Sequence, residues 1–500
     1  MIFGFPRPRK LHRFELVLGA GLVLLGIGCA SASPPSAPLA ESAAKTDSTG
    51  PTDSTGSTGW RYALVIDASS SASTLHIFEW MPALDSRLPR IEAAPRTGSP
   101  GAKAAGEGWE KRVKTGLDSY RGRPNEAAAS LEPLIEYALD KIGGDPATLA
   151  RTSVLVRATA GMRLLEASDR AEILSSIDRY LESTPFGSTS TRVISGAEEG
   201  LYGWITVNYI LGHLEHGGRF PTVGALDLGG ASTQITFQPL DFPKRLAETI
   251  TLGSNTYHLY TKSYLGLGQD RARETVASPA CFLVGYPTPQ GPGTGDFEAC
   301  RTAIHEALTV ACPEDEQSCS MFGSYQPPLY GDFLALSVYA YTADFFGLRE
   351  RMRPEDLEVA GREFCSRDWQ RWLADEPEVA DNPYLPLYCY AAVHVVTLLT
   401  DGFGFPADTD RISAPLKVQG SAIGWTLGAL LYELAGSAPA TSSPWATSAF
   451  LRESGASGRR PREAGPMPAN AASTRAIAAP VRRPGAESAG PRQPVRPRSW

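Results

Sequence analysis

Two segments of this 500-residue chain, "ALVIDASSSASTLHIF" (63–78) and "GALDLGGASTQITF" (224–237), follow one plan. In each, a short apolar run ends on an aspartate, Asp67 or Asp227. Small residues come next, and then apolar and polar residues alternate. Leu75 and Ile77 stand at the same offsets from Asp67 as Ile235 and Phe237 do from Asp227. Period-two alternation marks a strand with one buried face, and equal offsets mean equal registers. The chain therefore reads as two equivalent β-hairpins, and its fold must hold both.

A turn of small residues leaves backbone N–H groups open to an anion, as phosphate-binding loops do. Gly229 and Gly230 in particular let the backbone approach a phosphate. An acid at the lip of such a turn suits a hydrated divalent cation, so Asp67 and Asp227 are expected to hold Mg²⁺ or Ca²⁺ mainly through water. One hairpin alone reads as a turn stabilised by its aspartate. Two in phase point to a polyphosphate gripped from both sides.

Around the hairpins, strand-like runs ("SVLVRATAG", "TRVIS") alternate with helical ones ("MRLLEASDRAEILSSIDRYLES", "GAEEGLYGWITVNYILGHL"), the mark of an α/β protein. With 42% hydrophobic and 20% charged residues the composition is that of a globular chain, and a net charge of −7 gives no reason to expect nucleic acid as partner.

The ends differ. Residues 1–30 place Arg7, Arg9, Lys10 and Arg13 before an apolar run ending "LLGIGCASA". That run is shorter than the ~20 residues of a bilayer span and reads as a signal peptide or lipoprotein signal. Cys29 is a candidate lipidation site, with simple cleavage or an uncleaved anchor as the alternatives. Either way the protein is expected to be exported: periplasmic, secreted or anchored to a membrane outside the cytoplasm. Residues 31–59 form a Ser/Thr/Gly/Pro linker and residues 437–500 an Ala/Pro/Arg-rich tail, both too poor in apolar surface to order themselves.

Of seven cysteines, six lie beyond Cys29, and an even number in an exported chain reads as disulfides. Neighbour pairing is the expectation: Cys281 with Cys300, Cys312 with Cys319, Cys365 with Cys389. Reduced thiols or a zinc site are the alternatives, although no CxxC pair accompanies the cysteines. No asparagine opens a glycosylation sequon, which leans towards a bacterial exported protein.

"SGAEEG" offers two adjacent glutamates. Ser195 and Glu198 have capping-box spacing, which leaves Glu199 free to project elsewhere. Thr159 sits in a turn where its hydroxyl orients a water or caps a helix. Arg163, a helical arginine just after that turn, reads as structural and is left out of the site.

Five segments in order, "IDASSSAST", "ATAGMRLL", "SGAEEGLYGW", "ALDLGGASTQ" and "GWTLGALL", make the chain resemble the ectonucleoside triphosphate diphosphohydrolase (apyrase) family of the actin, Hsp70 and sugar-kinase superfamily. The resemblance implies two actin-like, RNase H-like lobes with an active-site cleft between them: lobe I over 60–195, completed by 424–436, and lobe II over 196–423 with the disulfides. It implies hydrolysis of nucleoside tri- or diphosphates by a water that Glu199 activates, with Thr159, Ser232 and Gln234 also catalytic. It places Gly230, Ala231, Ser232, Thr233 and Gln234 along the phosphate, with Ser70, Ser71 and Ser73 equivalent in the first turn. Tyr339 or Tyr341 then stacks on the base and Trp425 lies near the phosphates, although aromatics at helical spacing also read as core. The first segment departs from the family pattern at Ser69, Ala72 and Ser73. Serine for glycine at Ser69 strains the turn if φ is positive there.

Two rivals remain. One is an exopolyphosphatase-type phosphatase of the same superfamily. The other is a catalytically weak surface protein that binds nucleotides or glycans.

Overall fold

The computed structural model describes residues 59–83, 88–96, 108–214, 221–241, 247–312, 319–377, 382–418 and 421–436. Residues 1–58, which hold the expected signal with Cys29 and nearly all of the expected linker, and residues 437–500 lie outside the described residues. Among the described residues no helix is long and apolar enough to cross a membrane.

Two six-stranded sheets repeat one arrangement. In the first, β1 (Arg61–Ala68) pairs antiparallel with β2 (Ser73–Met81). β3 (Arg90–Ala93) and β4 (Glu110–Val113) lie along the far edge of β2. β5 (Ser153–Ala158) and β6 (Ser188–Val193) extend the other side of β1 in parallel. In the second, β7 (Gly224–Leu228), β8 (Ser232–Phe237), β9 (Glu248–Leu252) and β10 (Asn255–Leu265) are antiparallel in the order β7-β8-β10-β9. A short ribbon of β11 (Pro287–Thr288) and β12 (Gly291–Pro292) follows, and β13 (Phe333–Ser337) and β14 (Ile412–Ser413) then extend β7 in parallel. Each sheet is thus built around a strand with a hairpin partner on one side and a parallel neighbour on the other.

The registers match residue for residue. Asp67 lies opposite Thr74 and Asp227 opposite Gln234. Ser69 N–H donates to Ala72 O at 2.9 Å, and Gly229 N–H donates to Ser232 O at 3.0 Å. Both turns close with the same bond at the same offset from their aspartates.

Alternation decides what each face meets. Leu64 and Ile66 of β1 pack outward with Ile173, Ile177 and Leu181 of the Ala167–Glu182 helix. Ala63 and Val65, on the same face as Asp67, pack inward on a core shared with Trp204, Ile205, Trp425 and Leu430. In β7, Ala225 joins that shared core, whereas Leu226 and Leu228 face the helices of lobe II. Residues two apart share a face, so Asp227 looks the same way as Ala225. Both aspartates therefore sit on the inner faces of their sheets, at the rim of the layer between the lobes.

That layer is a helix pair, Gly196–Ile210 and Trp425–Gly436; both are largely apolar, the first buried over most of its length and the second from Trp425 to Leu431. They touch at Gly428, where a Cβ would lie 2.0 Å from Tyr202 O. Gly428 N–H also donates to Thr206 Oγ1 at 2.8 Å. Gly428→Ala is expected to push the helices apart and lower unfolding stability by about 1–3 kcal/mol, read as a lower midpoint in denaturant. The pair is tied to sheet I by charge as well: fully buried Arg157 donates to Glu433 at 2.8 Å, and Arg192 to Glu198 at 2.7 Å.

Two expectations change. The helical run after "ATAG" is two helices, Ala160–Arg163 and Ala167–Glu182. Leu164 and Leu165 N–H groups bond back three residues, which tightens and ends the first turn. Ser69 does not have positive φ, so its side chain brings no strain, and its hydroxyl donates to Ala72 O at 3.0 Å. The three disulfides join Cys281 to Cys300, Cys312 to Cys319 and Cys365 to Cys389, as neighbour pairing has it.

Candidate active site

The two adjacent glutamates part ways at the first turn of the Gly196–Ile210 helix. Ser195 Oγ accepts from Glu198 N–H, and Glu198 Oε2 accepts from Ser195 N–H at 2.8 Å, closing a capping box. Glu199, 7% exposed, turns into the cleft, where its Oε2 accepts from Arg163 at 2.9 Å and from Gln234 Nε2 at 3.1 Å. Burial raises its carboxyl to about 7; Arg163 pulls it down and Asp227 pushes it up.

Around Glu199 the hydrogen bonds leave specific valences free. Ser232 Oγ accepts from Arg163 at 3.1 Å and from Gln234 Nε2 at 2.7 Å. With both lone pairs used, its one proton is free to donate into the cleft. Gln234 Nε2 also reaches Ser263 Oγ at 3.1 Å, while Gln234 Oε1 is buried with no partner among the described residues. Arg163 and Gln234 Nε2 thus hold the Glu199 carboxylate and the Ser232 hydroxyl side by side, and the partnerless Gln234 Oε1 belongs to the same amide, a set of polar groups that fits a bound water. Thr159 is buried, its N–H donates to Ala68 O at 3.2 Å, and its side chain makes no capping bond to the helix it precedes.

The turns meet closely. A Cβ on Gly230 would lie 2.9 Å from Ser70 Oγ and 2.8 Å from Asp270 Oδ2, so only glycine lets them approach this far. The carbonyls of Gly229 and Gly230 accept from the N–H groups of Gln269, Asp270 and Arg271 at the start of the Gln269–Val276 helix. In a trans peptide the N–H points opposite its C=O, so the N–H groups of Gly230 and Ala231 are aimed away from that helix. At the tip of the first turn Ser71 is exposed and Ser70 half-buried.

Asp67 Oδ1 and Asp227 Oδ1 are buried without hydrogen-bond partners among the described residues. Burial, then the Glu199 and Asp227 charges, push the Asp67 carboxyl well up. Burial raises Asp227 too, with the Ser337 hydroxyl and the Leu228 amide drawing it back. Three acids that repel one another, two with idle oxygens, fit a hard divalent cation. Among the described residues no three His, Cys, Asp or Glu side chains cluster tightly enough to cage an ion directly. Two carboxylates leave the remaining positions to water and phosphate, as Mg²⁺ prefers.

Several expected contacts fall elsewhere. Ser73 and Thr233 pair with Ala68 and Leu228, so alternation puts them on the faces opposite the aspartates. Thr233 Oγ1 donates to Asp227 O at 2.7 Å and is not available to phosphate. The residue that mirrors Gln234 in the first hairpin is Thr74. Tyr339 is fully buried with its hydroxyl 3.2 Å from Thr233 Oγ1 and has no open face for a base, whereas Tyr341 is 59% exposed. Trp425 is buried in the shared helix-pair core. Arg163, left out on sequence grounds, bridges Glu199 and Ser232; no local pattern marks it, because its partners lie far away in the chain.

The profile of the GDA1/CD39 (nucleoside phosphatase) family matches residues 54–282 and 282–442. The chain belongs to this family. It is 31% identical over 422 residues to "Probable apyrase 6" of Arabidopsis thaliana, covering 75% of this chain and 72% of that one. It is equally 31% identical over 430 residues to "Ectonucleoside triphosphate diphosphohydrolase 1" of Rattus norvegicus, covering 74% and 80%. The crystal structure of nucleoside triphosphate hydrolases from Neospora caninum superposes with a TM-score of 0.50 at 16% identity, over 76% of this chain and 93% of that one, which establishes the shared two-lobed fold. This GDA1/CD39 protein is therefore an enzyme of the nucleoside triphosphate diphosphohydrolase type, hydrolysing nucleotide phosphate.

Proposed function

We propose that the protein is an exported, divalent-cation-dependent nucleotidase that removes the terminal phosphate of nucleoside tri- and diphosphates by direct attack of water. The observation that carries this reading is the convergence of Glu199 with Asp67 and Asp227, whose Oδ1 atoms are idle, at the junction of two matched turns.

The phosphate chain enters between the turns and meets the N–H groups of Gly230 and Ala231. Gln234 Oε1 accepts one proton of the attacking water, Ser232 donates to its oxygen, and Glu199 takes the other proton as the new P–O bond forms. The bond to the leaving phosphate oxygen breaks in line, so no phosphoenzyme arises. Arg163 aims the Glu199 carboxylate and favours its ionised form against the effect of burial. Mg²⁺ or Ca²⁺, held by Asp67 and Asp227 mainly through water, would neutralise charge on the phosphoryl oxygens. Tyr341 is the aromatic with an open face for the base.

Three disulfides support export, since such bonds persist in oxidising compartments; the rat relative is by name an ectoenzyme. Phosphate release from ATP, ADP and inorganic polyphosphate, each with Mg²⁺, Ca²⁺ or chelator, tests the reading. Turnover of nucleotides that stops with chelator is expected. Release from polyphosphate alone, or none from any nucleotide, contradicts it.

A further inference from the structure

Among the described residues Arg112 takes part in no salt bridge. Arg112 on β4 lies directly opposite Thr74 of β2, and Thr74 lies directly opposite Asp67 of β1. Opposed residues share a face of the sheet, so Asp67, Thr74 and Arg112 form a row on the inner face of sheet I. Two interstrand spacings, about 10 Å, separate the backbones at its ends. A guanidinium on a long flexible stem covers much of that distance.

Arg112 is exposed, and among the described residues no carboxylate lies within ion-pair distance of it. Glu110, its same-face neighbour on β4, sits instead 3.7 Å from His76. From lobe II, the exposed Tyr341 projects from the Val338–Phe346 helix that follows β13. The Arg112 charge acts on both the Asp67 carboxyl and the Tyr341 phenol, so both lie within electrostatic reach of it. A substrate with its terminal phosphate at Glu199 and its base at Tyr341 runs past this guanidinium.

We propose that Arg112 is a specificity-determining residue of nucleotide hydrolysis, binding the non-scissile phosphates between the paired aspartates and the base. This rests on the function proposed above. A guanidinium presents a planar fork that matches two phosphate oxygens at once, which a point charge does not. The contact is made in the ground state and the transition state alike, so it acts on KM rather than kcat.

The test is steady-state hydrolysis of ATP with Mg²⁺ by the full chain and by its Arg112→Ala and Arg112→Lys variants, with unfolding midpoints confirming that all three fold. Arg112→Ala is expected to raise KM about 10-fold, the loss of a charge-assisted hydrogen bond, with kcat within about twofold of the wild type. Arg112→Lys keeps the charge and loses the fork, so its KM lies nearer that of the alanine variant. An unchanged KM in Arg112→Ala, a fall in kcat at constant KM, or full recovery with lysine overturns the proposal. Phosphate release by the wild-type protein tests the functional reading separately: normal wild-type turnover with an indifferent alanine variant rejects Arg112 alone.

Discussion

Glu199→Gln is expected to lower kcat by about 10²–10⁴-fold while making the cation-free protein more stable at pH 8. The substitution is isosteric and keeps an acceptor for Arg163, so geometry survives and only the proton acceptor is lost. The stability gain follows from the sign of the shift. A carboxyl raised from 4.5 to about 7 binds its proton more tightly in the folded state than in the unfolded one. Folding is therefore helped below 4.5 and increasingly opposed as pH rises towards 7. Above that range the wild-type protein without cation carries a penalty of about 1–3 kcal/mol that the glutamine variant escapes. A thermal unfolding series in chelator from pH 5 to pH 8 reads the effect: the two melting curves converge in acid and separate in base. Glu198→Gln should behave oppositely, weakening the capping box at a cost of about 1 kcal/mol and leaving turnover near wild type.

Asp227→Asn is expected to raise the cation concentration needed for half-maximal activity by about 100-fold or more, since it removes one of only two carboxylates available to the ion. The same substitution relieves charge repulsion on Asp67 and Glu199. The variant should therefore melt higher than wild type without cation and gain little at cation concentrations that saturate the wild type. The wild-type protein should melt higher as Mg²⁺ or Ca²⁺ is titrated, because an ion that binds only the folded state shifts the equilibrium by mass action. A wild-type melting point indifferent to both ions, in the presence and absence of nucleotide, contradicts the cation assignment.

What was legible in the sequence was what short-range physics encodes. Strand alternation fixed which way each hairpin runs, and matched offsets carried through to matched registers at Asp67–Thr74 and Asp227–Gln234. The capping-box spacing separated Glu198 from Glu199 because that contact spans only three residues. Ser73 and Thr233 have the small polar character of a phosphate-binding turn, but the same alternation turns their side chains to the faces opposite the aspartates. Arg163 was not legible at all. Its role depends on Glu199 and Ser232, which reach it only after two sheets and a helix pair have packed. Tyr339 and Tyr341 are two residues apart on one helix, and only packing tells which ring the core takes.

The most direct test is the initial rate of phosphate release from Mg²⁺–ATP by the Glu199→Gln protein beside that of its Glu198→Gln neighbour. A rate at least about 100-fold lower for the first, with the second close to wild type, is the predicted result. Equal rates, or the reverse order, would show that Glu199 does not take the proton from the attacking water.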